Sequence, residues 1–257
     1  MDLHFLTLEV ADHVAVVTLN NPPVHAQARG MREEVTRVFD ALSDRDDVRA
    51  VILTASGKIF SAGADVKERR GLVQEPGDYW THNRLTREFF FAVSDCRKPV
   101  IAAANGPAIG AGFALMLSAD IMIATEDTWV QMPELDVGLA GGSKLLTEHF
   151  GRSNARYLYF TARRIPAQEL YRLGVLTACV PRERLMEEAM AIAREIAAKS
   201  PLAVRAVKRA FNAVEEMPYR DAYRFEQSIT EELSHSEDTK EAQAAFVEKR
   251  KPAFKGR

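Results

Sequence analysis

The stretch from Pro99 to Asp120, PVIAAANGPAIGAGFALMLSAD, decides the fold. Val100–Ala104 is a short apolar run of the kind that forms a strand buried on both faces. Asn105-Gly106-Pro107 forces a turn. Gly110-Ala111-Gly112 then leads into Phe113, Leu115, Met116 and Leu117, whose spacing predicts a helix. Small residues ahead of a helix start leave its first backbone N–H groups open and let a ligand approach closely. Such groups stabilise a negative oxygen, either a phosphate or an oxyanion. Tight strand-to-helix packing with no ligand is the alternative account of the same residues.

Working outward, Val48–Thr54 (VRAVILT) is a second apolar run rich in β-branched residues. It passes through Ser56-Gly57-Lys58 into Phe60-Ser61-Ala62-Gly63-Ala64-Asp65. The chain thus sends a buried strand into a small-residue loop twice. If the two strands are parallel in one sheet, both loops lie at the same carboxyl edge, where α/β proteins bind ligands. Two N–H groups could then face one oxygen.

The 257 residues allow one large domain, or one domain with a helical appendage. A net charge of −2 gives no global case for nucleic-acid binding. Cys96 and Cys179 allow at most one disulfide, which fits a reducing compartment and a cytoplasmic location. No window of ~18 uninterrupted apolar residues predicts a membrane span. The first twenty residues alternate as strands do and carry early acidic residues, unlike a signal or transit peptide.

Phe5–Val10 and Val14–Leu19 read as a hairpin. Gly30–Leu42 reads as a helix, followed by Lys67–Tyr79 as a surface loop or frayed helix and Trp80–Cys96 as a helix. Ile121–Ala124, Trp129–Met132 and Leu176–Val180 read as short strands. Leu135–Gly142 is a glycine-bearing loop. Ser143–Phe150, Ser153–Phe160, Ala167–Leu173 and Arg182–Lys199 read as helices, and the remainder is helical. Ser200-Pro201 is a helix entry. Asp238-Thr239-Lys240-Glu241 has capping-box character for a last helix reaching Phe246 and Lys249. The tail KRKPAFKGR carries five cations in nine residues, as a solvated end or a phosphate contact.

Among candidate chemistries, no His/Cys/Asp/Glu cluster has metal-ligand spacing, and no nucleophile elbow, Walker loop or dinucleotide fingerprint occurs. Glu134 stands out: it follows Pro133 at the end of an apolar stretch. Burial would favour its neutral form and suit it to proton transfer, although a cap or turn role also fits. Asp65 reads as a structural acceptor for nearby N–H groups.

The segments NPPV (Asn21–Val24), FSAGADVKE (Phe60–Glu68), KPVIAAANGPAIGAGFAL (Lys98–Leu115), SADI (Ser118–Ile121), Pro133-Glu134 and FVEKRKPAF (Phe246–Phe254) together resemble the crotonase (enoyl-CoA hydratase/isomerase) superfamily. The resemblance covers essentially the whole chain. It implies an α/β fold: a spiral of ββα units over residues 1–199 and a helical trimerisation region over 200–257, in a homotrimer or dimer of trimers. It implies an acyl-CoA substrate, with coenzyme A as part of the substrate and no metal or redox cofactor. The N–H groups of Ala64 and Ala111 would form an oxyanion hole, the two loops already argued to converge. Ala62, Ala64, Asp65, Val66 and Lys67 would lie along the CoA, with Lys58 and Lys67 near phosphates. Phe246 and Lys249 would contact CoA from an adjacent subunit.

The departures bear on the reaction. Hydratases of this family carry two glutamates. The second matches Glu134, but the first is Ala114 here. Ala111 replaces the middle glycine of its turn while keeping the N–H, LDVGLAGG alters the following loop, and His25 stands where Asn is common, with a local capping role. One base beside an oxyanion hole suits isomerase-type proton transfer from the α- to the γ-carbon. The alternatives are hydration of a specialised acyl group, with Glu148 or a residue of the 67–82 loop substituting, and a non-catalytic acyl-CoA-binding homologue. Phe113, Trp129 and Met132 read as core residues more than as a pocket lining.

Overall fold

The structure, a computed structural model, describes residues 1–257. β1 (Leu6–Ala11) and β2 (Val14–Leu19) pair antiparallel across Asp12 and His13, both at positive φ, as a two-residue hairpin turn requires. The spiral begins after β2. α1 (Arg29–Asp44) leads to β3 (Ala50–Ala55), then to α2 (Val66–Arg69) and α3 (Asp78–Ser94). β4 (Val100–Ala104), β5 (Ala108–Ile109) and α4 (Ala111–Leu117) form the next turn. β6 (Ile121–Thr125), β7 (Trp129–Gln131), a single 3-10 turn at Glu134–Val137, α5 (Ser143–His149) and α6 (Arg152–Thr161) form another. β8 (Ile165–Pro166), α7 (Ala167–Arg172), β9 (Ala178–Val180) and α8 (Leu185–Ala197) close the sheets. α9 (Pro201–Val214), α10 (Tyr219–Ser234) and α11 (Glu237–Glu248) follow.

The large sheet has the order β1-β2-β3-β4-β6-β9 and is parallel beyond the first hairpin. A smaller sheet, β5-β7-β8, is extended by bridges from Ser61 to Ala108 and from Gln27 to Ala64. Each turn of the spiral therefore adds one strand to the large sheet and a short extended segment to the small one. Side-chain alternation along β3 explains why its sequence is apolar throughout. Val51 and Leu53 enter the main core with α1 and α3, whereas Ala50 and Ile52 pack with Leu185, Ala189 and Ala193 of α8.

Helix α9 is tied to the spiral by Lys208, which is buried and reaches Asp120 Oδ2 (2.7 Å) and Lys98 O (3.2 Å). Asp120 also accepts from Val100 N (2.6 Å), so one carboxylate joins α9 to the start of β4. Ser200 caps α9, accepting from Ala203 N. The expected cap of the last helix is corrected: Ser236, not Asp238, caps α11, accepting from Thr239 N at 3.0 Å. Asp238 is buried and accepts instead from Ser200 Oγ, Lys255 N and Gly256 N. It holds the returning tail, a long-range role that local spacing does not reveal. Arg250 pairs with Glu241 and Glu248, and Arg257 with Glu237, so part of the basic tail is spent within the chain. Cys96 and Cys179 are free thiols. The 67–79 segment contains α2, and the following helix starts at Asp78 rather than Trp80. No helix is long and apolar enough to cross a membrane.

Candidate active site

β3 and β4 are parallel neighbours, with Val51 opposite Val100, so the loops leaving them emerge at one sheet edge. Their backbones meet. Ile109 N donates to Ser61 O (2.9 Å), and Phe60 N donates to Pro107 O (3.0 Å). A Cβ added at Gly112 would lie 2.2 Å from Ser61 O. Gly63 has φ +85°, and a Cβ there would lie 2.5 Å from Ile109 O and 3.1 Å from Ala111 N. Only glycine satisfies both the left-handed backbone and the approach. Gln27, fully buried, ties the loops further: its N donates to Gly63 O (2.8 Å) and its Nε2 to Ala111 O (3.0 Å).

This packing brings Ala64 and Ala111 onto adjoining loops. Ala111 opens α4, so its N–H has no intrahelical acceptor. Neither it nor the Ala64 N–H donates to a loop carbonyl. Glu134 joins them from the 3-10 turn after β7. A Cβ on Gly110, which has φ +53°, would lie 2.9 Å from Glu134 Oε1. Glu134 Oε2 is buried and has no hydrogen-bond partner. Burial pushes the Glu134 carboxyl above its ordinary range; its own backbone N–H and the charge of Arg69 oppose this without overcoming it. Two small-residue loops and one buried carboxyl, raised above its ordinary range, thus share one place.

Other expected residues are distributed around this centre. Ala62 and Asp65 are half-buried, while Lys58, Val66 and Lys67 are exposed. Asp65 Oδ1 accepts from Lys67 N (2.8 Å) and Glu68 N (3.3 Å), the structural role its sequence suggests. Phe246 and Lys249 are exposed on and just after α11, which packs on α10. Within one chain they are not brought to Glu134. Ala114 is buried inside α4. Glu148 is not a substitute: it pairs with Lys144 (2.7 Å) and lines a groove of about 1390 Å³ between α3, α5, α8 and α9, which contains none of Ala64, Ala111 or Glu134. Glu68 is also engaged, with both oxygens 3.0 Å from Arg29 N. His25 holds its turn, accepting from Asn21 N at Nδ1 (3.0 Å) and meeting Ser56 O at Nε2 (2.8 Å). Phe113 and Met132 are core residues, and Trp129 carries Arg164 over its ring.

Gln27, Arg32, Arg69 and His82 were not singled out by sequence reasoning. Arg32 had a signal: with Val35, Phe39 and Leu42 it falls on the buried face of α1. Arg32 Nη1 lies 3.4 Å from His82 Nδ1. Burial, then the charges of Arg32 and Arg69, hold His82 below the usual histidine range. Gln27 carries no periodic or motif signal, and Arg69 sits within a charged run.

Residues 9–257 match the family described as Enoyl-CoA hydratase/isomerase. A (7aS)-7a-methyl-1,5-dioxo-2,3,5,6,7,7a-hexahydro-1H-indene-carboxyl-CoA hydrolase of Rhodococcus jostii (strain RHA1) is 37% identical over 94% of this chain and 93% of its own length. A probable enoyl-CoA hydratase of Rhizobium meliloti (strain 1021) is 36% identical over the full length of both chains. The crystal structure of an enoyl-CoA hydratase from Bacillus anthracis superposes with a TM-score of 0.93 at 32% identity, covering 99% of this chain and 100% of that one.

Proposed function

The chain belongs to the enoyl-CoA hydratase/isomerase family, and on that premise we propose that it transfers a proton on an acyl-CoA thioester through an enolate, with Glu134 as the single general acid/base. The N–H groups of Ala64 and Ala111 receive the developing negative charge of the thioester oxygen. Glu134 takes a proton from the α-carbon and returns it at the γ-carbon, converting a β,γ-enoyl to an α,β-enoyl thioester. The observation that carries this is the unpartnered, buried Oε2 of Glu134 beside the Gly110–Ala111 turn, with Ala114 where a second carboxylate would stand. Hole and base together supply what the step needs, so no metal or redox cofactor enters it.

Lys58, Ala62, Asp65, Val66 and Lys67 lie along the coenzyme A portion. Residues 200–257 assemble the chain as a homotrimer or dimer of trimers, in which Phe246 and Lys249 reach the CoA of a neighbouring copy. Exposed Phe211, Tyr219, Phe246 and Val247 favour such an assembly, because isolated chains seldom leave this much apolar surface on one set of helices.

The test is the conjugated enoyl-thioester absorbance. A β,γ-enoyl-CoA should give a rising signal that Glu134→Gln abolishes. Loss of signal from an α,β-enoyl-CoA, again dependent on Glu134, would instead establish hydration. A second reading is hydrolysis of a cyclic oxo-acyl-CoA, with Glu134 activating water. It is favoured by the 37% identity to the Rhodococcus jostii hydrolase and would give neither signal.

A further inference from the structure

Two guanidinium groups, Arg69 beside Glu134 and Arg32 within reach of Arg69, form no salt bridge, and Glu68 and Asp65 act on Arg32 only through space. Arg32 is 2% exposed, its Nε has no hydrogen-bond partner, and its side chain reaches only His82. Arg69 is half-buried, and its Nε is also buried without a partner. The nearby acids are committed elsewhere. Glu68 binds Arg29 N, Asp65 caps α2, and Glu34 accepts from the N–H groups of His4, Phe5 and Leu6. Glu134 and Arg69 influence each other through space, but Glu134 Oε2 accepts no hydrogen bond. A desolvated guanidinium without a counter-charge is costly, and proteins rarely keep one unless an anion meets it.

Arg69 stands five residues beyond Ala64, on the helix that leaves the proposed oxyanion hole. Its charge acts on Glu134, so an anion bound by Arg69 lies on the same side of the site as that carboxyl. We propose that the acyl group accepted here carries a second carboxylate, distal to the thioester, which Arg69 binds directly while the buried charge of Arg32 keeps its surroundings positive. This rests on the acyl-CoA activity proposed for the same site. The planar guanidinium fork suits bidentate capture of a carboxylate and would fix the acyl chain with its α-carbon towards Glu134. A plain hydrocarbon acyl chain would leave both guanidinium groups unpaired and is selected against for that reason.

Calorimetric affinities for matched thioesters test the proposal: succinyl-, glutaryl- and adipyl-CoA against butyryl-, pentanoyl- and hexanoyl-CoA. At least one dicarboxylic thioester should bind about tenfold more tightly than its monocarboxylic partner, as one charge-assisted pair allows. Arg69→Met should reduce that ratio to within about twofold of unity, while Arg69→Lys, which keeps the charge but not the fork, should retain part of it. Equal affinity within every pair, a preference that survives Arg69→Met, or equal weakening of both members by Arg69→Met overturns the proposal. With pentanoyl-CoA still bound, the acyl-CoA activity stands when the carboxylate preference fails. If the unaltered protein binds no CoA thioester, both fall.

Discussion

In the loops over 61–65 and 106–112, backbone meets backbone. Peptide groups of two loops touch through glycines, Gln27 bridges them, and Ala111 N lies 3.1 Å from where a Gly63 Cβ would be. In α9–α11 the arrangement is reversed. Phe211 is 64% exposed, Tyr219 85% and Phe246 85%, and the tail is held by carboxylates reaching back from α11. The first region is closed by short-range packing within one chain. The second ends in surface that this chain does not cover. A site that must place N–H groups to within fractions of an ångström belongs in the first. Uncovered apolar surface of the second kind is what the proposed assembly of copies would use.

Substitutions can break that contrast. The largest effect is expected from Glu134→Gln, which keeps the shape of the site. Turnover should fall by about 10²–10⁴-fold, measured on whichever thioester the protein converts, with the melting midpoint unchanged or raised because an unpaired buried carboxyl is removed. Intact turnover would sink the catalytic assignment. Gly112→Ala, on the same side, forces a methyl against Ser61 O and should cost more than about 3 kcal/mol by denaturant unfolding. A loss of under about 1 kcal/mol would mean that the loops are not locked by this contact.

On the other side, Asp238→Ala removes the acceptor for Lys255 N and Gly256 N and should cost about 1–2 kcal/mol. The expected sign is faster amide exchange or proteolysis over 251–257 while the spiral keeps its protection. If the whole chain destabilises together, the two regions are one cooperative unit. Lys249→Ala should weaken CoA binding about threefold to tenfold in the assembled protein, as loss of one exposed charge contact would. Unchanged affinity would confine the site to the spiral. The finest test is pH. Burial raises the Glu134 carboxyl, and as a base it works only when ionised, so activity should be lost on acidification at a pH above the usual carboxylate range. Arg69 opposes that rise, so Arg69→Met should move the acidic limb to still higher pH.

The spiral was legible because its strands are short apolar runs and its turns are glycine-bearing, and both patterns are local. β3, β4 and α4 fall where VRAVILT, VIAAA and GFALML put them. The cap of α11 was misread because Asp238 satisfies donors from Ser200 and from the tail, and no local spacing encodes such partners. Arg69 was hidden for a related reason. In Lys67-Glu68-Arg69-Arg70 nothing distinguishes a solvated cation from one turned into a site.

By itself, the sequence determined that two buried strands would open into small-residue loops, that Glu134 would follow an apolar stretch, and that Ala114 would supply no carboxylate. Those are properties of residue type and spacing, which steric and burial rules translate directly. Only the tertiary structure decided that Gly110 and Glu134 would meet, that Gln27 would join the loops, and that Glu68 and Asp65 would be occupied while Arg32 and Arg69 stayed unpaired. Which groups pair depends on distances between segments far apart in the chain, and these are fixed only when the sheet has brought its edges together.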